Sequence, residues 1–258
     1  FLKDANKVIV GLEKFDSTIL DNLPNLKVIS KYGVGLNNLD LDQLNKRGIK
    51  LGFRPGVNKI PVAELTMLLI LMSLRKVHLS ILNIKDGIWS QERGHELTNK
   101  TIGILGFGNI GKLLTDFLKP YRCKILGFDI QKIKREEVKK CSIEEIFSDA
   151  DIVSIHLPLT DSTKGLIDKK LLEISKKDLK LINTSRGGIV NEEHLYNYLI
   201  NNERAFAAFD VFEVEPAFNS PLLDLKNFFA TSHLGSMTEE GVIAMGLAAI
   251  EGLDENSK

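Results

Sequence analysis

From position 101 onward, apolar residues gather in short runs that begin near Thr101, Lys124, Asp151, Lys180, Ala205 and Phe228. The runs start 23 to 29 residues apart, with a helical pattern between each pair. Continuous apolar runs alternating with helices are the mark of parallel strands covered on both faces. Six of them predict a doubly wound α/β sheet. Helix starts are also marked. Ser142-Ile143-Glu144-Glu145 reads as a capping box, in which serine and glutamate satisfy free backbone N–H groups. Asn191 precedes Glu192 and Glu193, whose charges suit the positive end of a helix.

The first hundred residues have shorter units. Val8–Val10, Lys27–Ile29 and Ile49–Phe53 read as strands, and Leu41–Arg47 as a helix closed by Gly48. Pro61 opens an apolar helix through Leu74, which its composition predicts to be buried between domains or at a subunit interface. A polar approach, Lys85 to Lys100, follows, with Trp89 expected to pack. The pattern divides the chain into 1–78, rejoined by 237–258, and 79–236. The chain opens on Phe1 and ends without a cap signal, so truncation at either end is expected.

Composition narrows the function classes. With 43% hydrophobic and 26% charged residues, the composition is that expected of an ordinary soluble α/β protein. Its 34 basic and 34 acidic residues cancel, which argues against nucleic-acid or anionic-membrane partners. The basic stretch Lys132 to Lys140 is broken by Glu136 and Glu137, as a solvated charged face would be. Cys123 and Cys141 match neither a zinc spacing nor a disulfide framework, so a reducing cytoplasm is the simpler assumption. No two histidines have metal-ligand spacing, and no metal is expected. The apolar run Ile60 to Leu74 carries Glu64 and is too short to span a bilayer; no signal peptide is visible.

The first chemical signal is Gly106-Phe107-Gly108-Asn109-Ile110-Gly111, set between a predicted strand and a helix over Lys112–Lys119. Gly106 permits a tight turn, Gly108 lets a pyrophosphate approach the backbone, and Gly111 lets helix and strand pack closely. The phosphates would meet unpaired N–H groups at the helix start, alongside Asn109 and Ile110. Asp129 ends the next strand, where a carboxylate accepts from ribose hydroxyls and repels a 2′-phosphate, favouring NAD over NADP. Lys132, Lys134 and Arg135 weaken that preference slightly.

Three further residues fall just beyond strands on the same edge: Arg186 in Asn183-Thr184-Ser185-Arg186-Gly187-Gly188, Glu215 before Pro216, and His233 in Thr231-Ser232-His233-Leu234-Gly235. Ligands of open parallel sheets bind outside the carboxyl ends of strands. A cation, a carboxylate and an imidazole there, beside a nicotinamide, are what hydride transfer to or from a 2-hydroxy acid requires. His156, in Ser154-Ile155-His156-Leu157-Pro158, is expected to line the cofactor cleft; His78, His95 and His194 are expected on the surface or on helices.

These motifs, in order and spacing, resemble the NAD-dependent D-isomer-specific 2-hydroxyacid dehydrogenases, the family that includes phosphoglycerate dehydrogenase. The resemblance runs from about Leu26 through His233. It implies a Rossmann cofactor domain over 79–236 and a smaller flavodoxin-like substrate domain. It also implies that Arg186 pairs with the substrate carboxylate, that His233 exchanges a proton with the substrate oxygen, and that Glu215 orients the imidazole. Pro158, Thr184, Ser185, Asp210 and Gly235 join the cofactor set, with Asp210 near the carboxamide. Lys31-Tyr32-Gly33-Val34-Gly35 resembles the loop whose N–H groups bind substrate carboxylate, although Asn37-Asn38 replaces the usual aspartate-asparagine. Asn58 and Glu64 match family positions in the interdomain cleft.

The substrate is expected to be phosphoglycerate-like, with glyoxylate, hydroxypyruvate or D-lactate as alternatives. Gly11-Leu12-Glu13 stands where phosphoglycerate-type members often carry an arginine, so Arg54 or Lys31 would have to meet the phosphate. A homodimer is expected. The rival reading is an NADH-sensing corepressor, which would bind cofactor, turn over slowly and recruit a peptide.

Overall fold

The computed structural model describes residues 1–254. It divides into two compact units, Phe1–Pro61 together with the stretch from Ser236, and Val62–Gly235. In the first unit, β1 (Lys7–Val10), β2 (Val28–Lys31) and β3 (Lys50–Gly52) form a parallel sheet in that order. Its core is Val10, Phe15, Leu20, Leu26, Ile29, Leu39 and Leu44. Asp40 caps the helix Leu41–Lys46 by accepting the Gln43 N–H at 3.0 Å, and Gly48, at φ +66°, turns the chain away. The returning helix Glu239–Glu251 packs on this sheet: the Ser30 hydroxyl donates to the Ala249 carbonyl at 2.6 Å. A side chain on Gly52 would collide with the Gly252 backbone, so the approach requires glycine.

The second unit continues with β4 (Thr101–Leu105), β5 (Lys124–Phe128), β6 (Val138–Lys140), β7 (Ile152–Ile155), β8 (Lys180–Asn183), β9 (Phe206–Phe209) and β10 (Phe228–Ala230). All pair in parallel in the order β10-β9-β8-β7-β4-β5-β6. The order reverses beside β4, and that switch point lies at the glycine-rich turn. Alternate residues serve opposite faces, as strand pleating dictates. Leu105, Val153, Ile155, Leu181 and Phe209 join one core; Ile104, Ile152, Ile182, Phe206 and Ala208 join the other. Both faces are dry, which is why the sequence reads as unbroken apolar runs.

The differences from expectation have local causes. β6 escapes the apolar pattern because only Val138 is buried, Lys139 and Lys140 facing water. The helix expected from Pro61 spans Lys59–Arg75, with Pro61 in the first turn, where a missing N–H costs nothing. Its Leu65, Leu69, Ile70 and Leu74 belong to the core of the second unit, so the units divide at Pro61 whereas the sequence pattern suggested 78/79. A further helix, Val77–Lys85, follows Lys76 in left-handed backbone. His78 lies on this helix, one of the two places expected for it, and is buried: its Nε2 lies 2.8 Å from the Lys226 carbonyl and its ring 4.4 Å from that of Phe206. Trp89, expected to pack, is 86% exposed, with Leu68, Ile81, Leu82, Ile84 and Ile88 also exposed. Among the described residues no single helix is long and apolar enough to cross a membrane; Lys59–Arg75 and Val77–Lys85 meet that test only together, bent by 69°.

Candidate active site

The turn after β4 is built for a dinucleotide. Gly106 has φ +98°, and a side chain there would strike the His156 carbonyl; one on Gly111 would strike the Gly106 carbonyl. Gly108 differs: nothing lies within 4 Å of where its side chain would stand. It caps the helix Asn109–Leu118 without a side-chain hydrogen bond, leaving the first-turn N–H groups, including those of Asn109 and Ile110, open for an anion. Asp129 stands beside this cradle, its Oδ2 accepting the Phe107 N–H at 2.6 Å and its Oδ1 the Gln131 N–H at 2.7 Å. Arg135 is engaged by Asp116 at 2.8 Å and lies 3.6 Å from Glu137, so this cation belongs to the charged face. An open glycine cap, a helix start and an adjacent carboxylate fit NAD.

His156 follows β7. Its Nε2 meets the Ser154 hydroxyl at 2.9 Å, while the buried Nδ1 has no hydrogen-bond partner. Burial lowers its pKa to about 3, so the ring is neutral. Pro158, two residues on, is exposed.

Past β8, the buried Asn183 shapes the arginine loop. Its Oδ1 accepts from the Ser185 N–H at 3.1 Å and hydroxyl at 2.8 Å, and its amide donates to the Arg186 carbonyl at 3.0 Å. Thr184 is pinned from another side, its hydroxyl 2.8 Å from that of Thr66. Arg186 donates from Nη1 to the Ser185 carbonyl at 2.5 Å. Burial lowers its pKa, countered by Glu215, and a guanidinium keeps its charge regardless. Asn183 thus fastens the loop that carries Arg186, a part the sequence did not single out. Its only signal was an asparagine at the end of a buried strand.

Past β9 and β10, the buried Asp210 organises the histidine loop. Oδ1 accepts from the Thr231 hydroxyl at 2.5 Å and the Leu234 N–H at 2.8 Å; Oδ2 accepts from the Gly235 N–H at 2.8 Å. The same carboxylate that the family resemblance places near the carboxamide thus fastens this loop. His233, bracketed by those bonds, sits at φ +53°, an uncommon conformation for a non-glycine residue that its surroundings must enforce. Its Nδ1 lies 2.7 Å from Glu215 Oε2, and Glu215 Oε1 accepts the Phe212 N–H at 3.0 Å. The carboxylate raises the His233 pKa against the opposing effect of burial. Burial pushes Glu215 up, but the bonds from His233 and Phe212 outweigh it and its pKa is lowered. Glu215 and His233 are thus brought together directly, and Arg186 lies on the same sheet edge, close enough to bias both electrostatically.

In the first unit, the loop Tyr32–Gly35 follows β2, with Gly33 at φ +97° and the Tyr32 N–H donating to the Val10 carbonyl at 2.9 Å. Lys31 is buried and its ammonium donates to the Gly11 carbonyl. Arg54 pairs with Glu251 at 3.1 Å. Asn58 is buried with Oδ1 lacking a partner, while Glu64 is exposed. Among the described residues no cluster of three His, Cys, Asp or Glu side chains could hold a metal.

A parallel sheet with a dinucleotide cradle at its switch point, and an imidazole–carboxylate pair beside an arginine on that edge, define a nicotinamide-linked oxidoreductase. Residues 67–235 match the family described as D-isomer specific 2-hydroxyacid dehydrogenase, NAD binding domain. The chain belongs to that family. A hydroxypyruvate reductase of Thermotoga maritima is 34% identical over 250 residues, covering 95% of this chain and 82% of that protein. A D-3-phosphoglycerate dehydrogenase of Methanocaldococcus jannaschii is 34% identical over 259 residues, 97% of this chain but only 49% of that longer protein. Among solved structures, the D-lactate dehydrogenase of Aquifex aeolicus with NAD and lactic acid aligns with a TM-score of 0.90 at 26% identity, covering 97% of this chain and 82% of that one.

Proposed function

We propose that this protein moves hydride between NAD(H) and C2 of a small D-2-hydroxy acid, using Arg186, His233 and Glu215. The observation that carries the reading is the 2.7 Å bond from His233 Nδ1 to Glu215 on the sheet edge that also bears the glycine cradle. NAD supplies the hydride acceptor, and its reduced form the donor. Gly106, Gly108, Asn109, Ile110, Gly111 and Asp129 would hold it, with His156, Pro158, Thr184, Ser185, Asp210, His233 and Gly235 completing the set.

With Nδ1 committed to Glu215, Nε2 is the atom that exchanges a proton with the substrate oxygen. Protonated, His233 donates to a keto oxygen; neutral, it accepts from a hydroxyl. Arg186 offers its planar fork of donors to the carboxylate and polarises the C2 oxygen. Tyr32, Gly33, Val34, Gly35 and Asn58 are the proposed substrate contacts of the first unit. The unpartnered Asn58 Oδ1 suits a hydroxyl donor.

The resemblance favours a phosphoglycerate-like substrate. A phosphate-free acid such as hydroxypyruvate or glyoxylate is favoured by one cluster. Glu13 stands after β1 with Oε2 accepting the Gly11 N–H at 2.9 Å, while Lys31 is committed to the Gly11 carbonyl. NADH oxidation across 2-keto acids with and without phosphate separates these substrates. Tight NADH binding with no turnover on any of them would instead favour the corepressor reading. The free thiols of Cys123 and Cys141 suit a reducing cytoplasm. The exposed apolar set around Trp89 suits a homodimer.

A further inference from the structure

The loops at the carboxyl edge of the large sheet are fastened side to side. The Gly165 N–H donates to the Gly188 carbonyl at 2.7 Å and the Ile167 N–H to the Ile189 carbonyl at 3.1 Å, joining the loops after β7 and β8. Asp210 joins the loops after β9 and β10. Between the arginine loop and the glutamate loop, the Asp210 N–H donates to the Asn183 carbonyl at 2.9 Å, and Glu192 adds a tie further along the turn. This residue opens the helix Glu192–Ile200, and its Oε1 accepts the Glu213 N–H at 2.7 Å.

The geometry there is narrow. Two successive N–H groups of one turn are taken by two carboxylates, Phe212 by Glu215 and Glu213 by Glu192. Gly187 presses against the same turn, leaving no space for a side chain beside the Phe212 carbonyl. Glu192 has the favourable positive end of its helix, but its neighbours act against its charge. Burial raises its pKa first, Glu213 and Glu215 raise it further, and only the Glu213 N–H works against them.

We propose that Glu192 is a positioning residue for the proton-transfer pair: by holding the Glu213 N–H it fixes the turn that aims Glu215 at His233, and ties that turn to the segment carrying Arg186. The proposal rests on the dehydrogenase reading above. A merely helical role would be different, since any acid at a helix start interacts well with the dipole.

Two variants separate the roles. Glu192→Gln keeps an oxygen at the same reach, whereas Glu192→Asp keeps the charge at the helix start but withdraws it. Each is assayed with NADH and the best 2-keto acid of the wild-type panel, while the His233 ring is titrated by NMR. Around His233 stand Glu215, Asp210 and Arg186, all unchanged in both variants. Glu192→Asp should lower kcat about tenfold, as for a lost hydrogen bond to a charged group, with both KM values within about twofold. His233 should then titrate at lower pH than in the wild type, because Glu215 is no longer held against it. Glu192→Gln should keep kcat within about threefold and the wild-type titration. Wild-type kcat and titration in the Asp variant, or equal losses in both variants, overturn the proposal. If the wild type turns over no keto acid, the dehydrogenase reading fails, and the His233 titration alone still decides whether Glu192 holds the pair.

Discussion

At the scale of single residues, His233 carries the largest expected effect. Replacing it with alanine should reduce turnover by about 10² to 10⁴, the usual contribution of a positioned acid or base, with NADH affinity largely kept; steady-state kinetics alongside NADH fluorescence titration measure both. The pH dependence has a definite sign. Glu215 raises the His233 pKa, so keto-acid reduction, which needs the imidazolium, persists at low pH and falls as pH rises through that raised value. Glu215→Gln removes the cause, and the falling limb of kcat/KM should move to lower pH. Stability follows the same pair. The His233 contribution is complete below the ordinary histidine value and lost above the raised one, while the Glu215 contribution is present above the ordinary carboxylate value and lost as pH falls through its lowered one. Both groups are more than a third exposed, so solvent screens the effect. The place of Arg186, Glu215 and His233 beyond strands on one sheet edge was legible in the sequence because each follows an apolar run. Asn183 and Glu192 were not legible as loop fasteners, because a hydrogen bond between distant loops leaves no periodic trace.

Elements differ in what their glycines do, and the turn after β4 separates structure from binding. Gly111→Ala forces a methyl onto the Gly106 carbonyl and should cost about 1 to 3 kcal/mol of stability, read as a lower Tm without ligand. Gly108→Ala meets nothing within 4 Å. It should fold with the wild-type Tm yet lose most of the stabilisation that NADH gives, because the methyl enters the space for the phosphates. Thermal scans with and without NADH check both. Strand identity was readable wherever both faces are buried, as in Ile152–Ile155. It failed at Val138–Lys140, where an edge strand has one buried residue and the hydrophobic pattern vanishes. Helix starts were readable from caps, and the Ser142 box forms with both of its bonds, at 3.1 and 2.7 Å.

For the whole molecule, the exposed set Leu68, Ile81, Leu82, Ile84, Ile88 and Trp89 gives the homodimer proposal its test. Paired substitutions Leu82→Asp and Trp89→Ser should leave a folded monomer by light scattering, with the far-ultraviolet spectrum unchanged. A wild type that is monomeric at micromolar concentration would end the proposal. Composition predicted that Pro61–Leu74 would be buried between domains or at a subunit interface; its Leu65, Leu69, Ile70 and Leu74 instead join a core with Ile104 and Leu114, far along the chain. The join between Gly52 and Gly252 has a consequence for biosynthesis. The strands of the small sheet are translated before the nucleotide-binding unit, yet the helix that covers them is translated only after it. The small unit is therefore interrupted by the larger one, and its apolar strands wait for their covering helix while the larger unit is made.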